Sequence, residues 1–342
     1  MPYQASPKPR PLAMAAATLL ALFVGLAGKA ALADVQDAQF LDISEYIALH
    51  PEQAELMKAF QQRVQNACTM APQEAVGEPV RIAVVFPGEQ VSDYWKRAIT
   101  TLTRRLNECG LPYDLHEFTS KPVVDRRLQE EQLREALETD PDYLVFTLDA
   151  TRHMELIERL LNRERPKLIL QNITTPVKRW EGRQPFLYVG FDHATGARML
   201  AREYIERVGT NPEYAVLYYS EGYVGAMRGN TFVAYMSQET GIMPMAEFYT
   251  DNQRSKTEDA VRRILERGQP DFIYACSTDI ALAAASIIQE AGLSGEVLVN
   301  GWGGGGPELA ALDLGLLDLT VMRLNDDNGV AMAEAIIMDS LG

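Results

Sequence analysis

FIYACSTDIALAAASIIQEAGLSGEVLVNGW (residues 272–302) carries the pattern that decides the fold. Phe272–Ala275 is a short apolar run, Ser277-Thr278-Asp279 is polar, Ile280–Ala291 has helical spacing, and Val297–Asn300 is a second apolar run. Strand, helix and strand in about thirty residues form a crossover unit, the connection that parallel strands need. Outward from this unit the alternation repeats. Towards the N-terminus the apolar runs are Arg81–Pro87, Tyr113–Phe118, Tyr143–Leu148, Lys167–Leu170, Phe186–Gly190, Tyr214–Tyr219 and Met245–Tyr249; towards the C-terminus there is Leu319–Met322. Helical patterns fill the gaps, among them Asp93–Glu108, Val124–Thr139, Thr151–Asn162, Ala194–Val208, Arg228–Thr240 and Ser255–Arg267. The expectation is an α/β protein of parallel sheets covered on both faces by helices. So many strands exceed one ordinary sheet, so two lobes with a cleft between them are predicted.

In open α/β sheets ligands bind beyond the carboxyl ends of the strands. The residues that follow the runs are Gln90, Ser92 and Trp95, then Asp149, Asn172, Arg228, Thr278, Trp302 and Arg323. Amides and hydroxyls can donate and accept together, as recognition of hydroxyl groups requires. An indole beside the glycine run Gly303–Gly306 suits stacking on a ring face. The two arginines are forks of donors fitted to an oxyanion, and two of them in separate halves favour an anionic ligand over a neutral sugar. Each residue also has a plainer reading. Ser92, Asp149 and Thr278 would cap helices, Trp95 and Trp302 would be core, Asn172 a turn residue, Arg228 a solvated surface residue, and Arg323 the partner of Asp326 or Asp327.

Composition excludes several classes. Against 47 acidic residues there are 32 basic ones in the 342-residue chain, a formal net charge of −15, with no basic stripe, so nucleic acid is not an expected partner. Lys8 and Arg10, the uncharged Leu12–Gly28 and Ala31-Leu32-Ala33 predict a secretory signal peptide over residues 1–33, cut after Ala33. No other apolar stretch is long enough to cross a bilayer, so the mature chain is expected to act outside the cytoplasm without membrane insertion. In an oxidising compartment Cys68 and Cys109 are candidates for a disulfide, and spacing alone leaves their pairing open. The apolar setting of Cys276 predicts a buried thiol. Catalysis has little support: there is no Gly-x-Ser-x-Gly elbow, no zinc-like cluster of the four histidines and no dinucleotide fingerprint.

Several of these stretches also resemble the LuxP-type family of periplasmic autoinducer-2 receptors. They are Phe86-Pro87-Gly88-Glu89-Gln90-Val91-Ser92-Asp93-Tyr94-Trp95, Phe146-Thr147-Leu148-Asp149 and Leu170-Gln171-Asn172-Ile173-Thr174-Thr175-Pro176, with Phe186–His193, Phe272–Asp279, Asn300–Gly305 and Thr320–Asp327. The resemblance implies a two-lobed periplasmic binding protein in the periplasm that is not an enzyme. It would bind a furanosyl borate diester and report it to the periplasmic domain of a LuxQ-like membrane sensor kinase. No cofactor is implied, boron being part of the ligand. Gln90, Ser92, Trp95, Asn172, Arg228, Thr278, Trp302 and Arg323 fall on the family's ligand-contacting positions, with Thr147 and Asp149 as weaker candidates and the two arginines facing the borate. The implied organisation is a signal peptide (1–33), an N-terminal extension and linker (34–80), a first lobe (81–189 plus 301–342) and a second lobe (190–300). The sequence departs from the family around Gly222–Met227, and family chains continue past the position of Gly342 into a third crossing between lobes. The alternatives are a ribose- or galactose-type binding protein of an ABC transporter, and an exported α/β hydrolase.

Overall fold

The computed structural model describes residues 40–41, 43–68, 78–147, 153–174 and 176–341. The expected leader, most of the linker before Val80, and Asp149 lie outside them.

Two five-stranded parallel sheets make up the molecule. The first has the order β2-β1-β3-β4-β5, from β1 (Val80–Phe86), β2 (Tyr113–Thr119), β3 (Tyr143–Phe146), β4 (Lys167–Gln171) and β5 (Leu187–Val189). The second has the order β10-β9-β8-β6-β7, from β6 (Tyr214–Tyr218), β7 (Ala246–Tyr249), β8 (Phe272–Ala275), β9 (Leu298–Gly303) and β10 (Leu319–Met322). Their apolar sequences follow from position: β3, β6 and β8 are buried along their whole length, as interior strands covered on both faces must be. The edge strand β2 is only half-buried.

Helices α1 (Ile43–Leu49) and α2 (Glu52–Gln65) precede the first sheet. Helices α3 (Tyr94–Glu108), α4 (Arg126–Glu138) and α5 (His153–Leu161) lie between its strands. The second sheet carries α6 (His193–Val208), α7 (Thr231–Thr240), α8 (Arg254–Arg267), α9 (Thr278–Glu290) and α10 (Gly306–Asp313), and α11 (Asn325–Leu341) closes the described chain. The helical pattern of Glu45–Cys68 is not continuous: the chain breaks at His50-Pro51, because proline has no N–H to continue the ladder of α1. The Cys68–Cys109 disulfide is formed and ties this helical arm to the end of α3.

The expected return to the first lobe at Gly301 is corrected by strand pairing. Residues of β9 continue to Gly303, and β10 pairs with them in parallel, Leu319 opposite Asn300 and Val321 opposite Trp302. Residues 301–322 therefore stay with the second sheet. The chain crosses back between Arg323 and α11, which packs along α3 of the first lobe. There Asn328 Nδ2 donates to the Tyr94 hydroxyl at 2.8 Å and Thr101 Oγ1 to the Asp326 carbonyl at 3.0 Å.

Helix α11 approaches α3 closely at Gly329. A Cβ there would fall against Thr101 Oγ1 and the Ala98 carbonyl and 2.7 Å from the Leu102 backbone nitrogen. Because two of those atoms are backbone, the helices must separate to admit a methyl group. Gly329→Ala is expected to lower stability by about 1–3 kcal/mol, the usual cost of overpacking. A urea midpoint equal to that of the parent would show that the contact yields freely.

Candidate functional site

The strand ends of both sheets meet at one cleft that is open to solvent at its mouth. All eight of the principal candidates line it: Gln90, Ser92, Trp95 and Asn172 from the first sheet's side, and Arg228, Thr278, Trp302 and Arg323 from the second. Thr147 is buried at the end of β3 and does not line the cleft. Tyr94, Tyr219, Val224 and Ser277 line it without having been singled out. Tyr94 and Ser277 adjoin chosen residues, and Tyr219 ends a quoted run, so proximity was their available signal.

Several plainer readings are corrected. Thr278 does not cap α9; Ser277 does, its Oγ accepting from Ile280 N–H at 3.3 Å. The Thr278 hydroxyl donates instead to Glu308 Oε1 at 2.5 Å. Asp326 pairs with Arg97 rather than Arg323. Trp302 projects from a strand and not a loop, 1 % exposed, with its indole N–H donating to the Tyr274 hydroxyl at 3.0 Å. It is therefore both core and cleft wall. Arg228, expected at the surface, is 4 % exposed on a turn of π-helix, Ala226–Asn230.

Arg228 stacks on the Trp302 ring with its guanidinium carbon 4.0 Å from the centroid, and its Nη1 donates to the Cys276 carbonyl at 2.7 Å. Arg323 follows β10 directly and lies over Tyr94, 4.6 Å from the ring centre, with Phe191 and Trp302 farther off. Its place there depends on Gly303, whose φ is +136° and where a Cβ would fall 2.8 Å from Arg323 Nε. Among the described residues no carboxylate is within ion-pair distance of either arginine, and Arg323 Nε has no hydrogen-bond partner. Burial, and then the Arg323 charge, draws the Arg228 pKa down to about 10. Burial lowers that of Arg323 also, with the Tyr94 hydroxyl and Glu308 opposing it. Asn172, held at φ +68°, adds a buried amide oxygen to which nothing donates among the described residues. The cleft is therefore an electropositive hole with unfilled polar groups, the arrangement that an oxyanion bearing hydroxyl groups would complete.

His193 sits where the chain passes from the first sheet to the second. Arg228 Nε donates to its Nδ1 at 3.4 Å, so its Nε2 carries the proton and donates to the Asn172 carbonyl at 3.2 Å. Burial, then the charges of Arg228 and Arg323, hold its pKa well below 6.5. An imidazole kept neutral by folding gains its proton on unfolding, so its contribution is complete above pH 6.5 and is lost as pH falls below that value. The expected slope from His193 is up to about 1.4 kcal/mol per pH unit. A His193→Gln variant should flatten the stability profile below pH 6.5; an unchanged slope would remove His193 from the account.

The two sides of the cleft also bond directly. Val91 and Ser92 N–H groups donate to the Asp279 carboxylate at 2.9 and 3.4 Å, and Gly306 N–H donates to Asp93 Oδ2 at 3.2 Å. Burial pushes the Asp279 carboxyl up despite its two donors. These contacts hold the mouth of the cleft together.

Residues 82–338 match the family described as periplasmic binding protein domain. Solved structures share the architecture at low identity. A periplasmic solute-binding protein of an ABC transporter from Actinobacillus succinogenes, with bound D-allose, is 17 % identical with a TM-score of 0.65, over 76 % of this chain and 91 % of that one. An ABC transporter solute-binding protein from Agrobacterium vitis with bound D-fucose is 15 % identical at a TM-score of 0.69, over 76 % and 89 %. XylFII in its complex with LytSN is 15 % identical at 0.66, over 78 % and 94 %. These likenesses concern the fold. No described helix is long and apolar enough to cross a membrane.

Proposed function

The chain belongs to the periplasmic binding protein family, and from that premise we propose that it is a periplasmic receptor for autoinducer-2 as its furanosyl borate diester. In this reading it is not an enzyme, and it relays the ligand's presence to the periplasmic domain of a LuxQ-like membrane sensor kinase. The observation that carries the proposal is the pair of arginines, Arg228 and Arg323, sharing one cleft without a carboxylate partner among the described residues. A tetrahedral borate ester is a compact anion bearing oxygens, which two guanidiniums neutralise, while Asn172, Ser92 and Thr278 face the furanosyl hydroxyls and Trp302 packs on the ring. Boron belongs to the ligand, and no cofactor is required. Binding favours closure because the ligand touches groups from both sheets at once. A binding protein of this fold has been seen in complex with a second protein, LytSN, which is compatible with relay by contact.

A second reading, a neutral-sugar carrier for an ABC transporter, is favoured by the relatives with bound D-allose and D-fucose. The deciding experiment is calorimetric titration of the protein with autoinducer-2, with and without borate, and with ribose. Binding that requires borate and excludes ribose supports the receptor. Ribose binding indifferent to borate moves the protein to the transport class and overturns the arginine argument.

A further inference from the structure

Behind the cleft wall, outside the lining residues, lies one carboxylate that reaches three elements of the second sheet. Glu308, in the first turn of α10, is fully buried. Its Oε1 accepts from Thr278 Oγ1 at 2.5 Å and from Trp302 N–H at 2.8 Å. Its Oε2 accepts from Gly304 N–H at 2.8 Å and from Thr320 Oγ1 at 2.6 Å. An ionised carboxylate offers about four lone-pair sites and no donor, so all of its acceptor capacity is taken. Among the described residues no cation pairs with it. Room for it comes from Gly301, where a Cβ would fall 2.7 Å from Glu308 Cδ.

What these four bonds fix is the wall that faces the ligand. Thr278 and Trp302 both line the cleft. The backbone that Glu308 holds on either side of Gly303 is the backbone that receives Arg323: Arg323 N–H donates to the Gly303 carbonyl at 3.0 Å, and Nη2 to the Trp302 carbonyl at 3.4 Å. Glu308 also opposes the lowering of the Arg323 pKa, so its charge is felt at the guanidinium without a contact.

We propose that Glu308 is the positioning residue of this site: one buried carboxylate that sets Thr278, Trp302 and the Arg323-bearing turn in mutual register. The inference rests on the receptor reading for its ligand but not for its geometry. An amide at the same place offers acceptors on one atom and donors on the other. In Glu308→Gln, whichever way the amide turns, its NH₂ meets a hydroxyl and a backbone N–H that were both donating to that position. The hydroxyl can rotate to accept; the backbone N–H of Trp302 or Gly304 is left without an acceptor, and the turn must move.

The test compares Glu308→Gln, Glu308→Asp and Thr320→Val. Thr320→Val removes one donor from the same carboxylate at a residue outside the cleft. Autoinducer-2 with borate is titrated by calorimetry, and amide hydrogen exchange is followed at residues 301–304 in each unliganded protein. Glu308→Gln is expected to bind at least tenfold more weakly and to exchange faster at Trp302 and Gly304. Thr320→Val should keep its affinity within about twofold even where its melting temperature falls, because the remaining donors still place the wall. Should Glu308→Gln not fold, Glu308→Asp takes its place: the charge remains, but the shorter side chain cannot span both donor pairs, and the same loss is expected. A folded Glu308 variant with parental affinity and parental exchange overturns the proposal. So does a Thr320→Val whose affinity falls in step with stability, since Glu308 would then be an ordinary structural residue. If the parent binds neither autoinducer-2 nor ribose, the receptor reading fails, and the exchange data alone decide: acceleration confined to residues 301–304 sustains the positioning role and its absence ends it.

Discussion

Arg323→Met is expected to weaken binding of the borate form of autoinducer-2 by about a hundredfold while leaving the unliganded protein at least as stable as the parent. Losing one partner of a desolvated charge contact costs about 2–5 kcal/mol, and each ~1.4 kcal/mol is tenfold in affinity. The stability half of the prediction comes from what Arg323 lacks. Its Nε has no hydrogen-bond partner among the described residues, its Nη2 bond to the Trp302 carbonyl is 3.4 Å long, and its charge and that of Arg228 share one cleft. A methionine keeps packing against Tyr94 and Phe191 and removes a buried cation that has no ion-pair partner among the described residues. Arg228→Met should behave differently. That guanidinium donates to the Cys276 carbonyl at 2.7 Å and stacks on Trp302, so its removal should lower stability as well as affinity. The measurements are calorimetry with borate and urea unfolding without ligand. An Arg323→Met protein that binds as tightly as its parent would sink the borate assignment. One that loses about 2 kcal/mol or more in the absence of ligand would make Arg323 a structural residue.

The architecture was readable because it depends on local patterns. Apolar runs at β6 and β8, helices between them and polar residues at each strand end are all encoded within a few residues of one another. The eight candidates converge because parallel strands in two facing sheets deliver their carboxyl ends to the same cleft. The lobe boundary was not readable: a strand such as β9 can stop at Asn300 or run to Gly303 on the same residues, and its pairing with β10 decides. The plain role of Thr278 failed for a related reason, since either Ser277 or Thr278 could cap α9, and the position of Glu308 takes the Thr278 hydroxyl and leaves the cap to Ser277. Glu308 itself reads as an ordinary first-turn acid in Gly306-Pro307-Glu308. Nothing local reveals that Trp302, Gly304, Thr278 and Thr320 all aim donors at it. A break-point set by one residue, such as Pro51, is legible in the sequence alone.

Glu334→Ala is expected to destabilise the first lobe by about 3–5 kcal/mol, the cost of removing one partner from a buried ion pair. Glu334 lies on α11 with a side chain 1 % exposed, and Arg105 of α3, 6 % exposed, donates to its Oε1 at 2.6 Å. Arg63 from α2 pairs with the other oxygen. Arg105 in turn donates to the carbonyls of Asn66 at 2.5 Å and Arg63 at 3.3 Å, so one carboxylate joins the N-terminal arm, α3 and α11 beside the Cys68–Cys109 disulfide. Without Glu334 the Arg105 charge keeps, besides the two carbonyls, only the half-exposed Glu108 carboxylate at 3.3 Å, and the disulfide holds the arm near a site it no longer fits. The double variant Arg105→Met/Glu334→Met separates this from a loss of packing. If the penalty is an uncompensated charge, the double variant should be more stable than Glu334→Met alone, with a coupling of about 1–3 kcal/mol. If the penalty is the volume of the side chains, the two losses should add. Guanidinium unfolding of the four proteins with the disulfide intact gives the coupling directly. Additivity would reassign the triad to packing, and the Arg105–Glu334 contact would then contribute no more than a solvent-exposed pair does.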